Sequence, residues 1–192
     1  MIKHFLIIIT IFFFISCEDL FTTRTPESPQ ITNPNNQATT VNNLVQNFKN
    51  SIYNEDVEQY SNLFINEFVT TDFTYRFKTN DSTIDTTIFT GWGIENERKF
   101  SSSFFEDNRV TSFHIDPSNF EEVSGDTTLI EFEYSGNLKN LNGEEINIKG
   151  KSKFTLKKIG NLWYLYYWED DRSLDKYSFT FSKLKEPFAF NN

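Results

Sequence analysis

An α+β fold, with helices first and a curved antiparallel sheet after them, is predicted by three features of the 192-residue chain. The segment from about 41 to 67 carries two apolar stripes at helical spacing. From Val110 onward the pattern changes to period-two alternation, with turn signals between the runs. Late in that series stands Leu162-Trp163-Tyr164-Leu165-Tyr166-Tyr167-Trp168-Glu169-Asp170, an aromatic-rich strand whose two faces are both apolar. Strict alternation puts Trp163, Leu165 and Tyr167 on one face and Leu162, Tyr164, Tyr166 and Trp168 on the other. A strand with no wet face must be covered on both sides, so the domain is expected to be built around it.

The elements follow in order. Val41, Leu44, Val45, Phe48 and Ile52 make the first helical stripe, with Thr40 placed to cap it. Val57, Tyr60, Leu63 and Phe64 make the second, for which Asn54 is a candidate cap. Phe73, Tyr75 and Phe77 alternate with Thr74 and Arg76, a strand. Asn80-Asp81-Ser82 reads as a turn, and 83–92 as a loop or short edge strand. After Gly91-Trp92-Gly93, Ile94 to Glu106 reads as a third helix with Ile94, Phe100 and Phe104 buried. Phe113 and Ile115 sit on a strand that bends at Asp116-Pro117. Turns at Ser124-Gly125-Asp126, Asn142-Gly143 and Gly160-Asn161 separate the later strands. Those strands carry Ile130, Phe132 and Tyr134, then Ile146, Ile148, Ser152, Phe154 and Leu156. Four antiparallel strands in a meander result.

The N-terminus carries an address. Lys3 and His4 precede Phe5 to Ile15, an apolar run too short for a comfortable bilayer span and suited to a secretory signal. Phe14-Ile15-Ser16-Cys17 resembles the bacterial lipobox, in which cleavage exposes a cysteine for lipid modification; Phe14 stands where leucine is usual. Residues 1–16 are therefore expected to be a lipoprotein signal peptide. Residues 17–40 would be the lipidated Cys17 and a tether, and 41–192 the folded domain with its tail. Phe21 to Thr40 contains Pro26, Pro29 and Pro34 with many Thr, Asn and Gln, a composition that stays extended; those residues reach at most roughly 65 Å. The expected address is the bacterial cell envelope, lipid-anchored to the outer membrane. Glu18-Asp19 reads equally as a surface-export signal and as a solvated start of the tether.

The order of elements over about 41–170 resembles the NTF2-like superfamily, a curved sheet wrapped around helices into a cone. The resemblance rests on the stretch from Asn47 to Phe77 with Asp56, Tyr60, Leu63 and Phe64, and on a last strand with Trp163 and Leu165. The C-terminal Phe181-Ser182-Lys183-Leu184-Lys185 looks like uncharacterised secreted bacterial members, which usually carry tryptophan where Phe181 stands. The resemblance implies an interior pocket, for which Tyr60, Phe64, Tyr75, Phe113, Tyr134, Trp163 and Tyr167 are the candidate lining. With 22 phenylalanines in the chain, a mostly plugged cone is expected.

Catalytic chemistry is thin. His114 could be a base in a cone pocket, but it alternates away from Phe113 and Ile115 and is expected to face solvent. The superfamily includes an isomerase built on an aspartate base with tyrosine and protonated-aspartate donors. Tyr60, Tyr75, Tyr134 and Asp72 are present here, with no residue pattern that carries over; as core tyrosines they need only hydrogen-bonded hydroxyls. Around Asn140, Asn142 and Gly143 an EF-hand register would put Leu138 first and Lys149 last, so that motif fails. Asp170, Asp171 and Asp175 could together hold a cation, but read first as a solvated acidic strand end. Glu131 and Glu133 against Lys149, Lys151 and Lys153 read as cross-strand charge pairs. The single cysteine excludes an internal disulfide. A net charge of -9 without a Lys/Arg cluster argues against nucleic acid. No cofactor is implied.

Two functions follow. One is a membrane-anchored, non-catalytic binding or assembly domain, with a small apolar ligand or an envelope protein as partner. The other is an isomerase- or hydrolase-type enzyme acting on a small apolar molecule in the cone. A monomer is expected, with residues 177–190 folding back over Tyr164, Tyr166 and Trp168, and with Pro187 stopping any helix after Lys185.

Overall fold

The computed structural model describes residues 37–173 and 178–189, and for 117–124 the backbone alone. The expected signal peptide, Cys17, most of the expected tether, Asp175, Tyr177 and Phe190 lie outside the described residues.

The first helix, α1 (Val41–Tyr53), starts where Thr40 Oγ1 accepts the Asn43 amide at 3.1 Å. It buries Leu44, Val45, Phe48 and Ile52, the stripe its sequence spacing requires. Asn54 does not cap the next helix. Its backbone is helical and its N–H closes α1 onto Asn50 and Ile52. Asp56, with extended backbone, caps α2 (Val57–Ser61) by accepting the Gln59 amide at 2.8 Å. A cap must sit one residue before the first helical position in a non-helical conformation, and only Asp56 does.

The strand predicted from Phe73 begins at Arg76, as β1 (Arg76–Thr79). The ambiguous stretch after it holds a short 3-10 helix, Thr86–Phe89, capped by Asp85. Helix α3 (Ile94–Asp107) buries Phe100 and Phe104 as expected, and also Glu97. The meander is β2 (Asn108–Ser124), β3 (Thr127–Asn140), β4 (Glu145–Ile159) and β5 (Leu162–Arg172). Sheet order is β1-β5-β4-β3-β2, with β1 parallel to β5 and the other pairs antiparallel. The register of β2 shifts at Pro117/Asn119, the bend its proline demands. Glu133 and Lys151 are cross-strand partners joined at 3.4 Å on the wet face.

The aromatic strand departs from simple alternation. Tyr167 stands opposite Thr155 but Leu165 stands opposite Leu156, so Tyr166 is the extra residue of a β-bulge. The bulge reverses the phase. Leu165, Trp168 and Asp170 all face the core and are buried, while Tyr166 packs on Phe73 outside it. Trp168 is therefore not part of an outer aromatic patch.

The last helix, α4 (Phe181–Ala189), runs through Pro187. The proline removes one N–H near the end of a short helix, which forfeits a single hydrogen bond to the Lys183 carbonyl. The described part of the tail, residues 178–189, does not cover the outer face of the aromatic strand. It enters the concave side, where Phe181 packs on Trp168 (5.1 Å between centroids), Tyr134 (4.8 Å) and Phe113 (6.1 Å). Phe188 reaches Phe100 of α3 at 5.7 Å. The inward turn of Trp168 supplies the apolar floor that attracts it.

Candidate functional site

The buried carboxylates Glu97 and Asp170 and the buried ammonium of Lys185 organise the interior of the cone. Glu97 lies on the inward stripe of α3, at the helical interval before Phe100 and Phe104. Its Oε1 accepts Tyr60 Oη at 2.6 Å, and its Oε2 accepts Tyr75 Oη at 3.0 Å and Trp92 Nε1 at 2.8 Å. Lys185 Nζ, brought in by α4, stands 2.8 Å from Oε1 and 2.9 Å from Oε2. The pair is sealed: Glu97 is 1% exposed and Lys185 0%.

A buried ion pair tolerates its desolvation only if hydrogen bonds satisfy the remaining lone pairs and protons. Here three neutral donors complete the carboxylate, and four rings surround the ammonium. Nζ lies 3.6 Å from the Trp168 centroid, 4.0 Å from Phe77, 5.3 Å from Phe100 and 5.6 Å from Trp92. Burial pushes Lys185 down to about 8, with the Glu97 charge opposing. Burial, followed by the same charge, holds the Tyr60 and Tyr75 hydroxyls well above their ordinary value. At neutral pH they are donors.

Asp170 is the second carboxylate. Its Oδ1 accepts Tyr134 Oη at 2.9 Å and Ser152 Oγ at 3.3 Å. Its Oδ2 accepts both the Ser182 amide and the Ser182 hydroxyl, each at 2.7 Å. Tyr134 Oη in turn accepts the Phe181 amide at 2.8 Å, and Thr180 Oγ1 accepts the Lys183 amide at 3.0 Å. Of the first-turn amides that every helix start leaves over, those of Phe181 and Ser182 are thus taken up by the cone and that of Lys183 by Thr180. Thr180 also donates to Asp81, whose other oxygen is held by Arg172 at 3.0 Å and by Thr83. Burial opposes ionisation of Asp81, but the Arg172 and threonine hydrogen bonds keep its carboxyl below the usual range. Among the described residues no buried side-chain polar atom lacks a partner.

The close approach of Tyr134 to its neighbouring strand requires a glycine. Gly150 stands across from Tyr134, and a Cβ there would lie 2.3 Å from the tyrosine oxygen. Only a residue without a side chain lets the hydroxyl lie flat and reach Asp170.

Burial pushes Asp170 up to about 6 from its ordinary 3.8, against the pull of Ser182, Tyr134 and Lys185. The folded state therefore holds this proton more tightly than the unfolded chain. The stability so gained is fully present below about pH 3.8 and is lost as pH rises through 6. The whole span is worth about 3 kcal/mol. Denaturation of the protein and of Asp170→Asn from about pH 3 to 7 checks this. The gap between the two stability curves is expected to change by that order across the window; a constant gap refutes it.

The structure distributes the candidate lining residues unevenly. Tyr60 and Tyr75 meet at Glu97, with Phe64 between them at 5.0 and 4.7 Å. Phe113 and Tyr134 pack on Phe181. Trp163 is half-buried at the edge of the core beneath Lys158. Tyr167 is outside the cone, because the bulge turns it to the face shared with Arg76 and Thr155. His114 is exposed and lines a groove of about 440 Å³ on the outer face with Ser135, Asn137 and Lys149. Asp171 is exposed, but Asp170 is buried and not part of a solvated acidic end. Glu97, Asp170, Lys185 and Trp92 join Tyr60, Phe64, Tyr75, Phe113 and Tyr134 in the interior, although none of the four is among the lining expected from the sequence. Their signal was a charged residue on an apolar stripe: Glu97 before Phe100, Lys185 four after Phe181, Asp170 two after Trp168.

Among the described residues there is no group of three His, Cys, Asp or Glu side chains that could hold a metal ion. No described helix is long and apolar enough to cross a membrane.

No family model matches the chain and no curated protein matches it. Solved structures do. A ketosteroid isomerase-like protein from Erwinia carotovora atroseptica aligns over 72% of this chain and 97% of its own, at 11% identity and a TM-score of 0.54. An NTF2-like protein of unknown function in nutrient uptake from Rhodospirillum rubrum aligns over 70% and 99%, at 8% identity and 0.53. A conserved protein from Planctomyces limnophilus aligns over 68% and 91%, at 10% identity and 0.54. Such identities establish the fold and say nothing of the chemistry. The domain has the NTF2-like fold, a curved sheet closed into a cone over its helices.

Proposed function

We propose that this NTF2-like domain is a lipid-anchored envelope protein, tethered through Cys17, that serves binding or assembly through its surface and performs no catalysis in its cone. The observation that carries the reading is the position of α4. Phe181 and Lys185 occupy the cone interior, and Glu97 and Asp170 have their oxygens engaged by protein donors. A catalytic carboxylate must be free to meet a substrate proton, and a ligand pocket must have volume. The anchor rests on the apolar run from Phe5 to Ile15 ending at Ser16-Cys17.

The test uses the full-length protein. Trp92 and Trp168 report on the cone, so tryptophan fluorescence is followed while a ketosteroid and a naphthalene fluorophore are titrated in. No saturable quenching is expected. Saturable quenching that is lost on Trp168→Phe overturns the reading in favour of the isomerase- or hydrolase-type enzyme. The anchor is checked separately: Cys17→Ala is expected to lose lipid labelling and leave the membrane fraction. Its persistence there after a high-salt wash removes that half of the proposal.

A further inference from the structure

We propose that the cone is a binding site for a primary alkylammonium, and that Lys185 is its resident ligand, carried in by α4. The inference goes beyond the plugged cone described above, because it concerns what the interior recognises. The anion of the site is positioned without help from α4. Tyr60 comes from α2, Tyr75 from the segment before β1, and Trp92 from the turn before α3, and all three donate to Glu97. The carboxylate is therefore held in place by the cone itself. The rings around the Lys185 ammonium come from Trp92 again and from three further positions: Phe77 on β1, Phe100 on α3 and Trp168 on β5. A carboxylate at one end and ring faces around the rest is the arrangement that recognises an ammonium by charge, hydrogen bond and π-face together.

The geometry also selects among cations. Nζ approaches both Glu97 oxygens within 2.9 Å. A quaternary nitrogen has no N–H to donate, and its methyl groups would hold it away from the carboxylate. A guanidinium is a plane with five donors, and Glu97, which already accepts from Tyr60, Tyr75 and Trp92, has too few lone pairs left to satisfy them. With Glu97 sealed in the interior, an apolar side chain at position 185 would close the cone over a carboxylate stripped of its counter-charge, so the site is completed only by a cation.

The experiment is chemical rescue in the full-length protein. Lys185→Ala removes the three-carbon stem beyond Cβ together with the ammonium, and n-propylammonium is the missing fragment. The variant is expected to be destabilised, and n-propylammonium to restore it saturably. At roughly ten times its dissociation constant the folding equilibrium should rise about tenfold. Equal concentrations of 1-propanol or tetramethylammonium should do nothing. Lys185→Met fills the stem volume and should be insensitive to n-propylammonium. Rescue by 1-propanol to the same extent, absence of any rescue, or rescue of Lys185→Met would each overturn the proposal and leave an ordinary buried ion pair. Should Lys185→Ala fail to fold in buffer, folding restored by n-propylammonium and not by 1-propanol supports the site, and failure with both overturns it. The unsubstituted protein gives an independent reading by NMR. The Lys185 Hε protons should lie well upfield of the ordinary lysine position, shifted by the Trp168 and Phe77 ring faces; an ordinary position also overturns it.

Discussion

Replacing Glu97 by alanine should lower the stability of the domain by about 3–5 kcal/mol, the cost of removing one partner from a buried ion pair. The loss is large because four donors lose their acceptor together. Lys185 is left as an uncompensated ammonium in a sealed interior, and the hydroxyls of Tyr60 and Tyr75 and the indole N–H of Trp92 are left unpaired. Water cannot replace the acceptor without opening the cone, since the surrounding groups are buried. Urea denaturation measures the loss. The double variant Glu97→Ala with Lys185→Met should recover a substantial part of it, because removing the second charge abolishes the unpaired cation. A single-variant loss below about 1 kcal/mol is what an exposed pair contributes, and would show that Glu97 and Lys185 are not sealed together.

Trp168→Ala should cost about as much, roughly 3–5 kcal/mol for a large aromatic deleted from a packed core. Trp168 is fully buried, with ring centroids 5.5 Å from Phe48, 5.4 Å from Phe77, 5.1 Å from Phe154 and 5.1 Å from Phe181. Its indole N–H donates to Ser152 Oγ at 3.0 Å, and that hydroxyl donates to Asp170. Deletion therefore opens a cavity, removes the ring nearest Lys185, and loosens one support of the carboxylate that holds α4. Tyr167→Ala is the matched control. It lies next in sequence but on the other face, half-buried beside Thr155, and should cost far less. Melting or denaturant curves of the two variants test the bulge directly. Equal losses would mean that the strand alternates without it.

The sequence determined the local elements and their order. Thr40 capped the first helix, Gly143 and Gly160 took the positive φ angles their hairpins require, and the residues Ile130, Phe132, Tyr134 and Ile148, Ser152, Phe154, Leu156 faced inward as period-two alternation demands. These features are set by interactions within a few residues or by a regular period, and both can be read along the chain. The wealth of phenylalanine likewise pointed to a filled interior, and Phe48, Phe113, Phe132, Phe154 and Phe181 form its centre.

Only the tertiary structure decided the site. A β-bulge is one residue of mismatch between two strands, so the position of Tyr166 in β5 depends on how β5 pairs with β4, which no pattern within β5 contains. That single residue sent Trp168 and Asp170 inward and Tyr167 outward. The path of the tail followed from it, because the amides of Phe181 and Ser182 find their acceptors on Tyr134 and Asp170, far away in sequence. Glu97 and Lys185 carried charges on otherwise apolar stripes, but a charge on a stripe is ordinarily a reason to shift the stripe. Its burial becomes favourable only when an opposite charge arrives from the other end of the chain, and that meeting is a property of the folded cone.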